Sequence, residues 1–87
     1  MNSNLTQPHE ASLSEQAKKL LKAIESAEAE WLTRNKIAQR LGKRRLNPYE
    51  VALLGVLKEQ GLIEVEKRDD PTPIGYRYEY RVKHEIV

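Results

Sequence analysis

Residues 31–50 decide the reading: Trp31-Leu32-Thr33-Arg34-Asn35-Lys36-Ile37-Ala38-Gln39-Arg40-Leu41-Gly42-Lys43-Arg44-Arg45-Leu46-Asn47-Pro48-Tyr49-Glu50. Trp31-Leu32 reads as a short extended piece, with Trp31 as a core anchor. Thr33 is a capping residue, and Ile37, Ala38 and Leu41 give the following helix one apolar face. Gly42 tolerates the left-handed backbone that ends a helix. After the turn Lys43-Arg44-Arg45-Leu46, a second start signal appears. Asn47 is placed to cap, Pro48 occupies the first helical position where its missing N–H costs nothing, and Glu50 completes a capping box. Two helices joined by a tight basic turn follow from this stretch alone.

Working outward toward the N-terminus, Ser12 and Glu15 suggest a capping box for a first helix over 13–28. Its apolar positions, Leu13, Ala17, Leu20, Leu21, Ile24 and Ala27, recur at spacings of three and four. Toward the C-terminus, the helix begun at Pro48 is expected to end at Gly61, with Tyr49, Leu53 and Leu57 inward, flanked by Leu54 and Val56. At about 100 degrees per residue, Val51, Ala52, Gly55, Lys58 and Glu59 face outward. The period then changes. Ile63 and Val65 alternate with Glu64 and Glu66, and Tyr76, Tyr78, Tyr80 and Val82 alternate with Arg77, Glu79, Arg81 and Lys83. Both stretches read as half-buried strands, with the tyrosines packing onto the helices. Lys67 to Gly75, with two Asp, two Pro and a Gly, reads as the hairpin loop between them.

The chain has 87 residues, enough for one domain and too few for an enzyme pocket built between domains. Cysteine is absent, which excludes disulfides, thiolate metal sites and thiol catalysis. His9 and His84 sit near the ends beside no recognisable nucleophile, and no metal-ligand spacing occurs. No catalysis, cofactor or metal is expected. No apolar run approaches the roughly 20 residues of a membrane span, and residues 1–12 carry no signal pattern, so a cytoplasmic location is expected. The expected organisation is a tail over 1–12, a domain over 13–83 and a short tail over 84–87. Net charge is only +2, but Arg34, Lys36, Arg40, Lys43, Arg44 and Arg45 fall in a stretch with no acid between Trp31 and Tyr49. Segregated charge of this kind sets up a local field that the net value conceals.

The order helix, short strand, helix, turn, helix, strand, loop, strand resembles the winged helix-turn-helix superfamily, as found in small bacterial regulators. The residues that carry the likeness are Trp31-Leu32-Thr33, Ile37-Ala38-Gln39-Arg40-Leu41-Gly42, Leu54, Leu57, Gly61-Leu62-Ile63 and the tyrosine-rich last strand. The resemblance implies an α+β fold of three helices, a short strand before the second helix, and a C-terminal two-stranded wing hairpin. It also implies duplex DNA as partner, with the third helix at the major groove and the second helix and wing on phosphates. Carried onto this chain, the contacts are Arg34, Lys36, Lys43, Arg44 and Arg45, with Lys67 and Arg68 on the wing and Asn47, Val51 and Lys58 along the third helix. The layout also resembles binders of Z-form nucleic acid, but Val51 and Gly55 stand where those proteins carry an Asn and a Tyr.

Two features run against the implied function. Base edges are read mainly by Arg, Lys, Asn and Gln, and the outward face of the third helix offers only Lys58 beside Glu59. Asp69 and Asp70 at the expected wing tip repel phosphate. The alternative is a protein-association module, homodimeric or with another protein, using Val51, Ala52 and Gly55.

Overall fold

Alternation of helical and strand periods produces three helices and a three-stranded antiparallel sheet in the computed structural model, which describes residues 13–83. The elements are α1 (Glu15–Glu25), β1 (Leu32–Thr33), α2 (Arg34–Arg40), α3 (Pro48–Glu59), β2 (Ile63–Asp69) and β3 (Tyr76–Val82). The expected tails, with His9, His84 and the Ser12 cap, lie outside the described residues. Among the described residues, no helix is long and apolar enough to cross a membrane.

The first helix is shorter than its apolar stripe suggested. Its N-cap is Ser14, whose Oγ accepts from Ala17 N at 3.1 Å, so the helix starts two residues after the expected position. It ends at Glu25 and not at Glu28: Ser26 is the C-cap, residues 26–29 form turns, and Glu28 takes a left-handed φ of 56° that no right-handed helix can continue through. Leu13 and Ala27 stay buried outside the helix, which explains why the stripe overran it.

The other two helices begin and end where their residues dictate. Thr33 Oγ1 accepts from Lys36 N at 3.2 Å, and Asn47 Oδ1 accepts from Glu50 N at 2.7 Å while Glu50 Oε1 accepts from Asn47 N at 2.9 Å. Each C-terminus closes with paired bonds across a left-handed glycine: Gly42 N to Gln39 O with Lys43 N to Ala38 O, and Gly61 N to Lys58 O with Leu62 N to Leu57 O. That pattern satisfies carbonyls the helix itself leaves open.

The core lies between the helices and one face of the sheet. Leu20, Ile24, Ile37, Leu54 and Leu57 are fully buried, each worth about 1.5–3 kcal/mol in transfer free energy. Strand order is β1-β3-β2, with Leu32 opposite Tyr80, Ile63 opposite Val82 and Val65 opposite Tyr80. The first hairpin strand runs further than the sequence suggested, while the second begins at Tyr76 as expected. Lys67, Arg68 and Asp69 pair with Tyr78, Arg77 and Tyr76, which leaves only Asp70 to Gly75 as the loop. That loop is closed by Asp70 N to Gly75 O at 3.1 Å and Gly75 N to Thr72 O at 2.9 Å.

The aromatic residues divide along the sheet. Tyr80 is 3% exposed, Tyr78 is half-buried against the core and Tyr76 is 39% exposed near the hairpin tip. Trp31 is not part of the buried cluster. It covers the other side of the sheet, where Arg81 and Arg68 lie 4.4 and 5.0 Å from its ring centre. The physical reason is pleat alternation: Leu32 faces inward opposite Tyr80, so its neighbour faces outward.

Candidate nucleic-acid interface

Glu50 organises the turn between α2 and α3. It is 1% exposed, and its carboxylate accepts from Lys43 Nζ at 2.7 and 2.8 Å, from Asn47 N at 2.9 Å and from Gln16 Nε2 at 2.8 Å. The Lys43 hydrogen bonds, with that of the Asn47 backbone, outweigh the cost of burial and hold the carboxyl below its ordinary pKa. One side chain thus ties α1, the turn and the start of α3 together. The sequence marked Glu50 as a cap, but its depth depends on Gln16 and Lys43 arriving from elsewhere in the chain.

This arrangement redistributes the cations expected to meet phosphate. Lys43 is spent on Glu50. Arg34 folds onto the hairpin, where its Nε donates to Tyr80 Oη at 2.8 Å and its guanidinium carbon lies 5.2 Å from the centre of the Tyr78 ring. Lys36, Arg44, Arg45 and Lys58 remain exposed. Arg40, named in the basic run but not among the expected contacts, is exposed too and donates to Ser26 Oγ at 2.8 Å. The Asn47 side-chain oxygen is occupied by its cap.

The hairpin cations are engaged as well. Lys67 Nζ lies 4.4 Å from the Tyr76 ring centre. Arg68 Nε lies 3.2 Å from Glu79 Oε1 without an aligned hydrogen bond, and Arg68 Nη2 lies 3.6 Å from Glu66. The register sets Glu66 opposite Glu79 and Arg68 opposite Arg77, so Arg68 pairs diagonally with Glu79 while Arg68–Glu66 and Arg77–Glu79 form along one strand. Arg77 bonds Glu79 at 2.9 Å and Asp70 at 3.3 Å, and chiefly the Glu79 bond pushes its pKa up. Asp70 is therefore partly neutralised.

The outer surface of α3 is apolar for most of its length. Tyr49, expected inward, is 57% exposed, and Val56 is 39% exposed. Seating Glu50 inward centres the buried arc on Glu50, Leu53, Leu54 and Leu57, and this rotates Tyr49 out. Ala52, Gly55, Lys58 and Glu59 are exposed as expected, whereas Val51 is half-buried against the core. Beside Val51 and Gly55 runs a shallow groove of about 180 Å³, bounded by Arg34, Lys58, Val65 and Tyr78. Among the described residues, no cluster of three His, Asp or Glu is arranged to hold a metal. Comparison with protein-family models, characterised proteins and solved structures returns no match.

Proposed function

We propose that the chain is a winged helix domain that binds duplex DNA through its phosphate backbone, in the manner of a small transcriptional regulator. The observation that carries this reading is the cationic surface of α2 and the following turn. Lys36, Arg40, Arg44 and Arg45 are all exposed there. Among the described residues none of the four is held in an ion pair, and Glu50, which follows the turn, is buried and paired with Lys43. Exposed cations with no competing carboxylate are what counterion release from DNA requires.

The same surface supports little base discrimination. The outward face of α3 supplies one cation, Lys58, with apolar atoms elsewhere, and Arg34 and Arg68 already have partners. Phosphate contacts position a protein without reading sequence. Affinity is therefore expected to vary little among duplexes.

The test is a titration of random-sequence duplex at several salt concentrations. Four phosphate contacts give a slope of log K against log salt of about −3.6. Replacing Arg44 and Arg45 together with Ala is expected to flatten the slope by about 1.8 while preserving the circular dichroism spectrum. Absence of binding at low salt, or an unchanged slope in the double variant, overturns the reading.

A further inference from the structure

Among the described residues, nothing covers the outer half of α3. Going round the helix, its exposed positions are Tyr49, Val56, Ala52, Glu59, Pro48, Gly55 and Lys58, with Val51 half-buried at the edge. The buried half holds Leu53, Leu54, Leu57 and the neutralised Glu50. A helix that is apolar around most of its girth is normally covered on all sides.

We propose that this face is covered by α3 of a second copy, the two helices running antiparallel about a two-fold axis. Two observations select that occupant and orientation. The first is the distribution of size. Ala52 and Gly55 lie at the middle of the face, and a Cβ at Gly55 meets nothing within 4 Å. Small residues at the crossing allow close approach of the axes. Tyr49 and Val56 line one edge two turns apart, so an antiparallel two-fold brings Tyr49 of each copy against Val56 of the other. The larger groups then flank the small ones at both ends.

The second observation is charge. Glu59 is the exposed acid on this face, at its C-terminal end. The antiparallel arrangement sets it beside the other copy's α3 N-terminus, with its partial positive charge. A parallel pair sets Glu59 against Glu59. On the other edge, the Lys58 stem runs beside Val51 of the second copy and keeps its ammonium in water.

Twelve residues make a helix about 18 Å long. One such helix pair is small beside the interfaces of tight complexes, which bury roughly 1,200–2,000 Å². A dissociation constant between about micromolar and millimolar is expected.

Sedimentation equilibrium of the full chain tests the proposal. A concentration-dependent monomer–dimer equilibrium is expected, and a chain that stays monomeric to about 1 mM overturns the idea. Gly55→Arg and, independently, Ala52→Glu are expected to weaken dimerisation at least about tenfold by placing unpaired charge at the crossing. Their circular dichroism at low protein concentration should match the wild type. Dimerisation of wild-type strength in a folded variant overturns the proposal. Orientation is read by mixing Tyr49→Cys with Val56→Cys chains under mild oxidation. Heterodimeric cross-links in excess of either homodimer support the antiparallel pair, and their absence from a dimerising mixture places association elsewhere and overturns it.

Discussion

The turn that precedes α3 and the outer face of α3 adjoin in sequence and differ completely in chemistry. Arg44 and Arg45 leave a strongly cationic turn open to water. Within a few residues, Tyr49, Ala52, Gly55 and Val56 present an apolar surface, with Lys58 and Glu59 only at its C-terminal end. The boundary is made by Glu50, which draws Lys43 out of the cationic set and faces inward itself. The two surfaces suit different partners: the first a polyanion, the second a protein surface that excludes water. Charge sequestered in the interior, more than composition, decides which surface each residue joins.

Breaking that boundary is expected to have the largest effect on stability. Glu50→Ala removes the acceptor shared by Lys43, Gln16 and the Asn47 N–H, and with it the reciprocal cap, at an expected cost of about 2–4 kcal/mol. Lys43→Met leaves the carboxylate to Asn47 and Gln16 and costs about 1–3 kcal/mol. The two variants also differ from wild type in acid. The folded state binds a proton at Glu50 less readily than the unfolded state. Its contribution is therefore complete above the usual carboxylate range and is lost as pH falls through the lowered value. Denaturant melts across the acid range should show a shallower fall in both variants. A fall as steep as that of wild type shows that Glu50 is not the group responsible.

A smaller perturbation sharpens the comparison at the junction itself. Asn47→Ala removes one half of the box while leaving the Glu50 carboxylate its Lys43 contact, at about 1 kcal/mol. It is expected to lower DNA affinity modestly by loosening the turn, with the salt slope kept because no cation is removed. A lower affinity accompanied by a flatter slope refutes that division of roles. An unchanged melting temperature refutes the cap.

The smallest expected effect lies wholly on the apolar side. Gly55→Ala replaces a mid-helix glycine whose added Cβ meets no atom within 4 Å, so it should stabilise the monomer by about 0.5–1 kcal/mol. DNA binding should not change, because the substitution touches no cation. Melting at low protein concentration measures the first expectation, and duplex titration the second. A loss of stability shows that the outer face of α3 is more constrained than its geometry indicates.

Local chemistry was legible wherever a residue acts on its own neighbourhood. The Thr33 and Asn47 caps, the helix ends at Gly42 and Gly61, and the hairpin alternation all rest on contacts a few residues apart. Where local signals compete, reading them was harder. Ser12 and Ser14 both precede the first apolar stripe, and the chain caps at Ser14. Of the expected interface, Lys36, Arg44, Arg45 and Lys58 remain open, while Lys43 is held by Glu50 across the turn and Arg34 and Arg68 by groups on β3.

The element order, the caps of α2 and α3 and an acid-free basic run from α2 into the turn follow from the residues alone, because they depend on short-range backbone preferences and on composition. Only the tertiary structure decided which cations stay free, which way Tyr49 and Trp31 face, and that Glu50 is buried. Those outcomes depend on partners brought together across distance: Gln16 lies 34 residues from Glu50, and Arg34 lies 46 from Tyr80. A side chain's charge is written in the sequence, but its availability is set by whether packing brings it a counter-group, and that is a property of the folded chain.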